Sequence, residues 1–201
     1  ALGVAFSANL ITMYLSYELL TLITLPIIMH AMDEKAINAG RKYLIYSIAG
    51  AAFAFMSVMV LYAAAGTTDF TFGGLLTKGN VSMNENWLLF AYLVAFLGFG
   101  VKAAVFPFHG WLPTAGVAPT PVTALLHAVA VVKAGVFAII RVTYYGFGTD
   151  FLSGTWVHYV VASLAIITIV FGSSMAVREQ HLKRRLAYST VTYLIFYLVL
   201  Q

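Results

Sequence analysis

Residues 43–65 read YLIYSIAGAAFAFMSVMVLYAAA, an apolar run without one charged side chain. In about 30 Å of hydrocarbon a backbone must satisfy its own polar groups, and about 20 apolar residues wound as a helix do so while crossing. Similar runs recur along the chain. They predict spans over about 9–30, 43–65, 87–117, 120–145 and 156–177, a cut-off span over 186–201, and the tail of a preceding span at 1–7. The expected fold class is therefore all-α, a polytopic membrane helix bundle forming one membrane domain over 1–201. Composition agrees. The chain is 62% hydrophobic and 9% charged, against about 25% charged for a soluble domain. It opens at Ala1 without a signal-peptide pattern and stops at Gln201 within apolar sequence, so it reads as a fragment of a longer membrane protein.

There are no cysteines, which excludes disulfides and thiolate-ligated iron–sulfur clusters on this chain. A haem enzyme would need paired axial ligands on facing spans, and only His127 lies deep in one. No cofactor, metal or catalytic centre is expected here. The net charge of +4 is carried in short loops, so it implies orientation in the lipid bilayer rather than a nucleic-acid partner. Loop 32–42 holds Lys35, Arg41 and Lys42, and loop 178–185 holds Arg178, Lys183, Arg184 and Arg185. The predicted crossings put both on one side, which the positive-inside rule makes cytoplasmic. A prokaryotic cytoplasmic membrane is the expected location.

Three charges fall deep inside predicted spans: Glu18, Lys102 and Lys133. A central charge costs at least about 2.5–3.5 kcal/mol on insertion, and such residues mark ion paths or proton relays by default. The bland alternative is a structural ion pair between helices. His127 lies six residues before Lys133, about 120° around a straight helix, so the two do not share a face. A group that titrates near neutral pH nevertheless suits a relay. His30, His158 and His181 read as interfacial or solvated residues. Arg141 reads as a snorkelling side chain, and His109 is open between roles. Ser47, Ser57, Thr123 and Ser173 are candidates to hold water, although each alone more often bonds a backbone carbonyl.

The segment 87–117 would be about 45 Å long as one helix, too long for a straight span. Pro107 removes a backbone donor and clashes one turn back, so a break is expected there, with Pro113 as a second break or gate residue. A Glu–Lys pair at an effective dielectric near 20 gains about 4 kcal/mol at 4 Å and about half that at 8 Å. A small change in separation beside a hinge would thus alter how firmly Lys102 holds a proton. Freed backbone at membrane depth persists only where protein or water satisfies it, as in the discontinuous helices of transporters.

Three stretches, YELLTL, GFGVKAAVFPFHGWLPTAGVAPTPVTALLHAVAVVKAG and LKRRLAYSTV, closely resemble the antiporter-like proton-channel family. That family includes the large membrane subunits of respiratory complex I, membrane subunits of membrane-bound hydrogenases and formate hydrogenlyases, and subunits of the multisubunit Mrp-type sodium/proton antiporters. The resemblance covers nearly the whole chain. It implies inverted repeats, of which this chain would hold the end of the first and the start of the second. By position, Glu18 matches the family's glutamate on the repeat's first helix, and Lys102 its lysine partner on the broken helix. His127 matches the histidine of the LLHA stretch, and Lys133 the connecting residue. His181 stands where the family commonly has Asp before LKR.

The implied function is a proton-translocating membrane subunit of a respiratory NADH:quinone oxidoreductase-like or hydrogenase-like complex, with other membrane subunits of that complex as partners. Protons would pass laterally among Glu18, Lys102, His127 and Lys133. The alternative is a subunit of a multisubunit Na+/H+ antiporter. A non-conducting scaffold subunit is the remoter one.

Overall fold

The computed structural model describes residues 1–76, 83–116 and 118–200. Residues 77–82 of the expected polar loop 66–86, position 117 at the expected end of the third segment, and Gln201 lie outside the described residues. After a short turn, α1 (Leu2–Ala5), comes α2 (Leu10–Ile28). It starts at Asn9, whose side chain accepts from Thr12 N at 2.8 Å, a cap that satisfies an otherwise free N–H. Next comes α3 (Glu34–Ala65). The loop expected over 32–42 is thus mostly helix. Asp33 caps the N-terminus through Ala36 N at 2.7 Å, and the charged residues that follow sit on the first turns of a helix extending past the hydrocarbon. Gly66, at φ 72°, ends it in the left-handed conformation that lacks a steric cost only for glycine.

The third segment consists of α4 (Glu85–Ala103), a 3₁₀ turn (Phe108–Gly110) and α5 (Trp111–Ala115). The fourth runs over Thr120–Phe147. It is not one regular helix. It contains α6 (Thr120–Ala124), a π turn (Leu125–Val129), α7 (Val131–Arg141) and a second π turn (Val142–Phe147). Then follow α8 (Thr149–Leu152), α9 (Trp156–Arg178) and α10 (Leu182–Leu200). Among the described residues five helical segments are long and apolar enough to cross a membrane, and the chain is an integral membrane helix bundle. The basic stretch 178–185 is therefore two helix ends around a short turn, with Lys183, Arg184 and Arg185 on the first turns of α10.

α4 sits at the centre, buried along most of its length. Small residues let it approach its neighbours closely, as membrane helices require in the absence of a hydrophobic force between them. A β-carbon on Gly98 would stand 2.5 Å from Ala54 N on α3. One on Gly135 of α7 would stand 2.6 Å from Ala103 N. Large apolar side chains such as Leu15, Leu22, Ile48, Met59, Ile166 and Val170 point outward from α2, α3 and α9, a surface suited to lipid tails or apolar protein.

A buried ion pair beside a broken helix

The break begins before Pro107. Ala104 takes φ 58°. Val105 N donates to Gly100 O at 2.9 Å and Ala104 N to Val101 O at 3.1 Å, the two bonds of a Schellman ending. An alanine held left-handed costs about 1–2 kcal/mol where glycine would be free. Packing around it holds it there. Trp111 Nε1 donates to Val101 O at 2.7 Å, and Phe106 N donates to Thr168 Oγ1 on α9 at 3.0 Å. Each freed backbone group named here has a partner, either within the end of α4 or from another element, as apolar surroundings demand. Pro107 then bars the helix from resuming. Pro113 breaks nothing: it stands in the first turn of α5, where its missing N–H is not needed. The interruption is confined to 104–110.

Lys102 lies on the last turn of α4, where carbonyl ends favour a cation. Its side chain is 0% exposed, and its Nζ is 3.5 Å from Glu18 Oε1 on α2. Glu18 is 26% exposed, and Oε1 has no hydrogen-bond partner among the described residues, so the contact is electrostatic. Nζ donates instead to the backbone oxygen of Tyr17 and lies 3.3 Å from the centroid of the Tyr17 ring, a cation–π contact worth about 2 kcal/mol when desolvated. The Tyr17 hydroxyl faces Gly98 O and Phe99 O at 3.5 and 3.4 Å. Tyr17 thus fixes the ammonium from two sides. Its adjacency to Glu18 was the only sequence sign of this role.

His127 is buried in the π turn, and neither ring nitrogen has a hydrogen-bond partner among the described residues. Ala130 N bonds back to Leu125 O at 2.9 Å, so the wide turn closes on its own backbone while the ring stays free. Such turns inside α-helices recur at functional sites. Lys133 is exposed on the outer face of α7, separate from the Glu18–Lys102 pair. Among the weaker candidates, His30, His158 and His181 are exposed. The Arg141 guanidinium lies 4.7 Å from the Phe70 ring and 5.2 Å from that of Tyr145, and it donates to Ala5 O. It braces the α1 end against the loop. His109 stacks on Phe106 and meets Phe171 at a tilt at the break. Thr123 and Ser173 bond backbone carbonyls, while Ser57 is buried without a hydrogen-bond partner among the described residues.

A broken apolar helix carrying a buried lysine against a carboxylate is the arrangement the resemblance implies. The sequence profile described as NADH:quinone oxidoreductase/Mrp antiporter, TM, matches residues 7–200. The chain belongs to this family. It is 34% identical over 194 residues to a subunit of the Na(+)/H(+) antiporter of Alkalihalophilus pseudofirmus, covering 96% of this chain and 23% of that protein. It is also 34% identical over 199 residues to the chloroplastic NAD(P)H-quinone oxidoreductase subunit 5 of Piper cenocladum, with 96% and 26% covered. A chain in the structure of the membrane-bound sulfane sulfur reductase, an archaeal respiratory membrane complex, superposes with a TM-score of 0.83 at 25% identity, covering 98% of this chain and 39% of that one. The chain spans about a quarter of the length of these curated relatives.

Proposed function

We propose that this chain is part of a proton-translocating membrane subunit, working with other membrane subunits of a respiratory quinone oxidoreductase-like or hydrogenase-like complex. The observation that carries the reading is the enclosed Lys102 ammonium, 3.5 Å from Glu18, on the last turn before a helix break. A structural pair needs no break beside it. A proton site does, because a shift of the lysine by a few ångströms changes its Coulomb energy by about 2 kcal/mol. Glu18 and Lys102 act as the loading pair. His127, whose nitrogens are buried and unpartnered among the described residues, passes the proton on, and Lys133 on the outer face of α7 hands it to the neighbouring part of the protein. The basic ends of α2–α3 and α9–α10 lie on the cytoplasmic side of a prokaryotic inner membrane.

The relative from a sodium/proton antiporter, at 34% identity, favours a second reading with the same relay: proton movement coupled to Na+. Glu18 is the one carboxylate deep within a span among the described residues, and Lys102 competes for it, which favours protons over a dedicated sodium site on this segment. One experiment tests both. The full-length protein with its partner subunits is prepared in inverted vesicles, and a pH-sensitive dye follows the gradient after sodium alone or a reductant alone. Lys102→Ala is expected to assemble and to lose the response. The stimulus that drives the wild type separates antiporter from redox pump. An assembled variant with an unchanged response would overturn the relay.

A further inference from the structure

Between the ion pair and the basic end of α2–α3 lies a cluster of hydroxyls that the relay does not use. Tyr43, Thr24, Thr21 and Ser47 are all buried, at 0%, 2%, 1% and 2% exposure. Their register is set by antiparallel packing of α2 and α3. Met29 and Leu25 lie against Gly40 near the turn, so Tyr43 falls level with Thr24, Ser47 with Thr21, and the next turn with Glu18. Tyr43 Oη and Thr24 Oγ1 are 2.8 Å apart. Thr24 Oγ1 in turn donates to Leu20 O at 2.7 Å. Thr21 Oγ1 and Glu18 Oε1, one helical turn apart on α2, are both buried without hydrogen-bond partners among the described residues. Leaving such groups unpaired costs about 1–3 kcal/mol each, so their pairing points to a proton carrier such as water between them.

We infer that Tyr43, Thr24, Ser47 and Thr21 form a hydroxyl ladder that carries protons between the basic end of the bundle and Glu18. The inference rests on the relay reading of Glu18 and Lys102. A proton entering at Tyr43 moves on as each hydroxyl accepts one proton and gives up its own, Thr24 turning its O–H away from Leu20 O to do so. No hydroxyl keeps a charge, and the net transfer is one proton from the basic end onto the Glu18 carboxylate. Tyr43 is the switching rung. Its ring packs on Trp111 at 5.1 Å between centroids, and Trp111 is the residue whose indole N–H holds Val101 O across the break. A movement of α5 therefore shifts the phenol relative to Thr24. The ladder couples proton supply to the hinge.

The test uses the full-length protein in its complex, in vesicles, with the amount of assembled complex measured for each variant. Tyr43→Phe keeps the ring on Trp111 and removes one hydroxyl. Thr24→Val keeps shape and removes another, while Thr24→Ser keeps the hydroxyl. Tyr43→Phe and Thr24→Val are expected to slow transport by about tenfold or more, and Thr24→Ser to transport close to wild type. Wild-type rates in Tyr43→Phe and Thr24→Val, with Lys102→Ala inactive, would overturn the ladder and leave the relay standing. Equal slowing by Thr24→Ser and Thr24→Val would also overturn it, because the effect would then be packing. An active Lys102→Ala would remove the relay and the ladder together.

Discussion

The helix interruptions at 104–110 and 125–129 are built in different ways. At 104–110 the helix end closes on its own carbonyls and is also held from outside, by Trp111 from α5 and Thr168 from α9, around a lysine that already has a carboxylate and a ring. At 125–129 the backbone ties itself down through Ala130 N to Leu125 O, and the polar group left over is the His127 side chain. The first interruption is a braced joint that holds a charge. The second leaves a buried imidazole with nothing to hold among the described residues. Substitution should therefore destabilise the first and barely disturb the second, while transport suffers at both.

The joint depends on how closely α7 approaches it. Gly135→Leu would drive a side chain into the backbone at Ala103 and Lys102, and overpacking of this kind costs about 3 kcal/mol. The expected result is a large drop in thermal stability, measured on the purified protein in detergent. Trp111→Phe removes the cross-element donor to the Val101 carbonyl, which keeps its bond from Ala104 N, and Thr168→Val strands the Phe106 N–H. Each is expected to lose about 1–2 kcal/mol, the cost of a lost buried hydrogen bond or an unmet buried polar group. His127→Leu should reverse the sign. Removing unpaired polar atoms is neutral or stabilising by up to about 1 kcal/mol, yet dye-detected proton transport should fall. A loss of stability as large as that of Trp111→Phe would mean that His127 is a structural group and that the contrast is false. Lys133→Met, on an exposed face, should change stability by less than about 0.5 kcal/mol while lowering transport.

Much of this was legible beforehand because a membrane leaves few options. Apolar runs located the helices, and the insertion cost of Glu18 and Lys102 singled them out. Pro107 marked the break to within a few residues. The rest was hidden for identifiable reasons. The start of α3 at Glu34 was signalled by Asp33 as a cap, but the charges that follow resemble a loop when hydropathy alone is read. The break starts at Ala104, a residue with no intrinsic preference for the left-handed conformation, so only tertiary contacts explain it. A π turn leaves the apolar pattern of a buried segment almost unchanged, and 125–129 carried no mark of one. Pro113 looked like a breaker because a proline in a first turn and a proline in a helix interior are the same letter. Tyr17 was hidden among the many aromatics of a membrane segment, since its role comes from facing Lys102 across two helices.

In the proposed relay Lys102 gives up and regains a proton, beyond holding two helices together. Lys102→Arg separates these roles, because a guanidinium keeps the positive charge beside Glu18 and does not deprotonate in a protein. Proton transport would be measured in vesicles containing equal amounts of assembled wild-type and Lys102→Arg complex. The relay predicts an assembled complex that does not transport. Transport at the wild-type rate would show that a fixed charge is sufficient, and that Lys102 is a structural partner of Glu18.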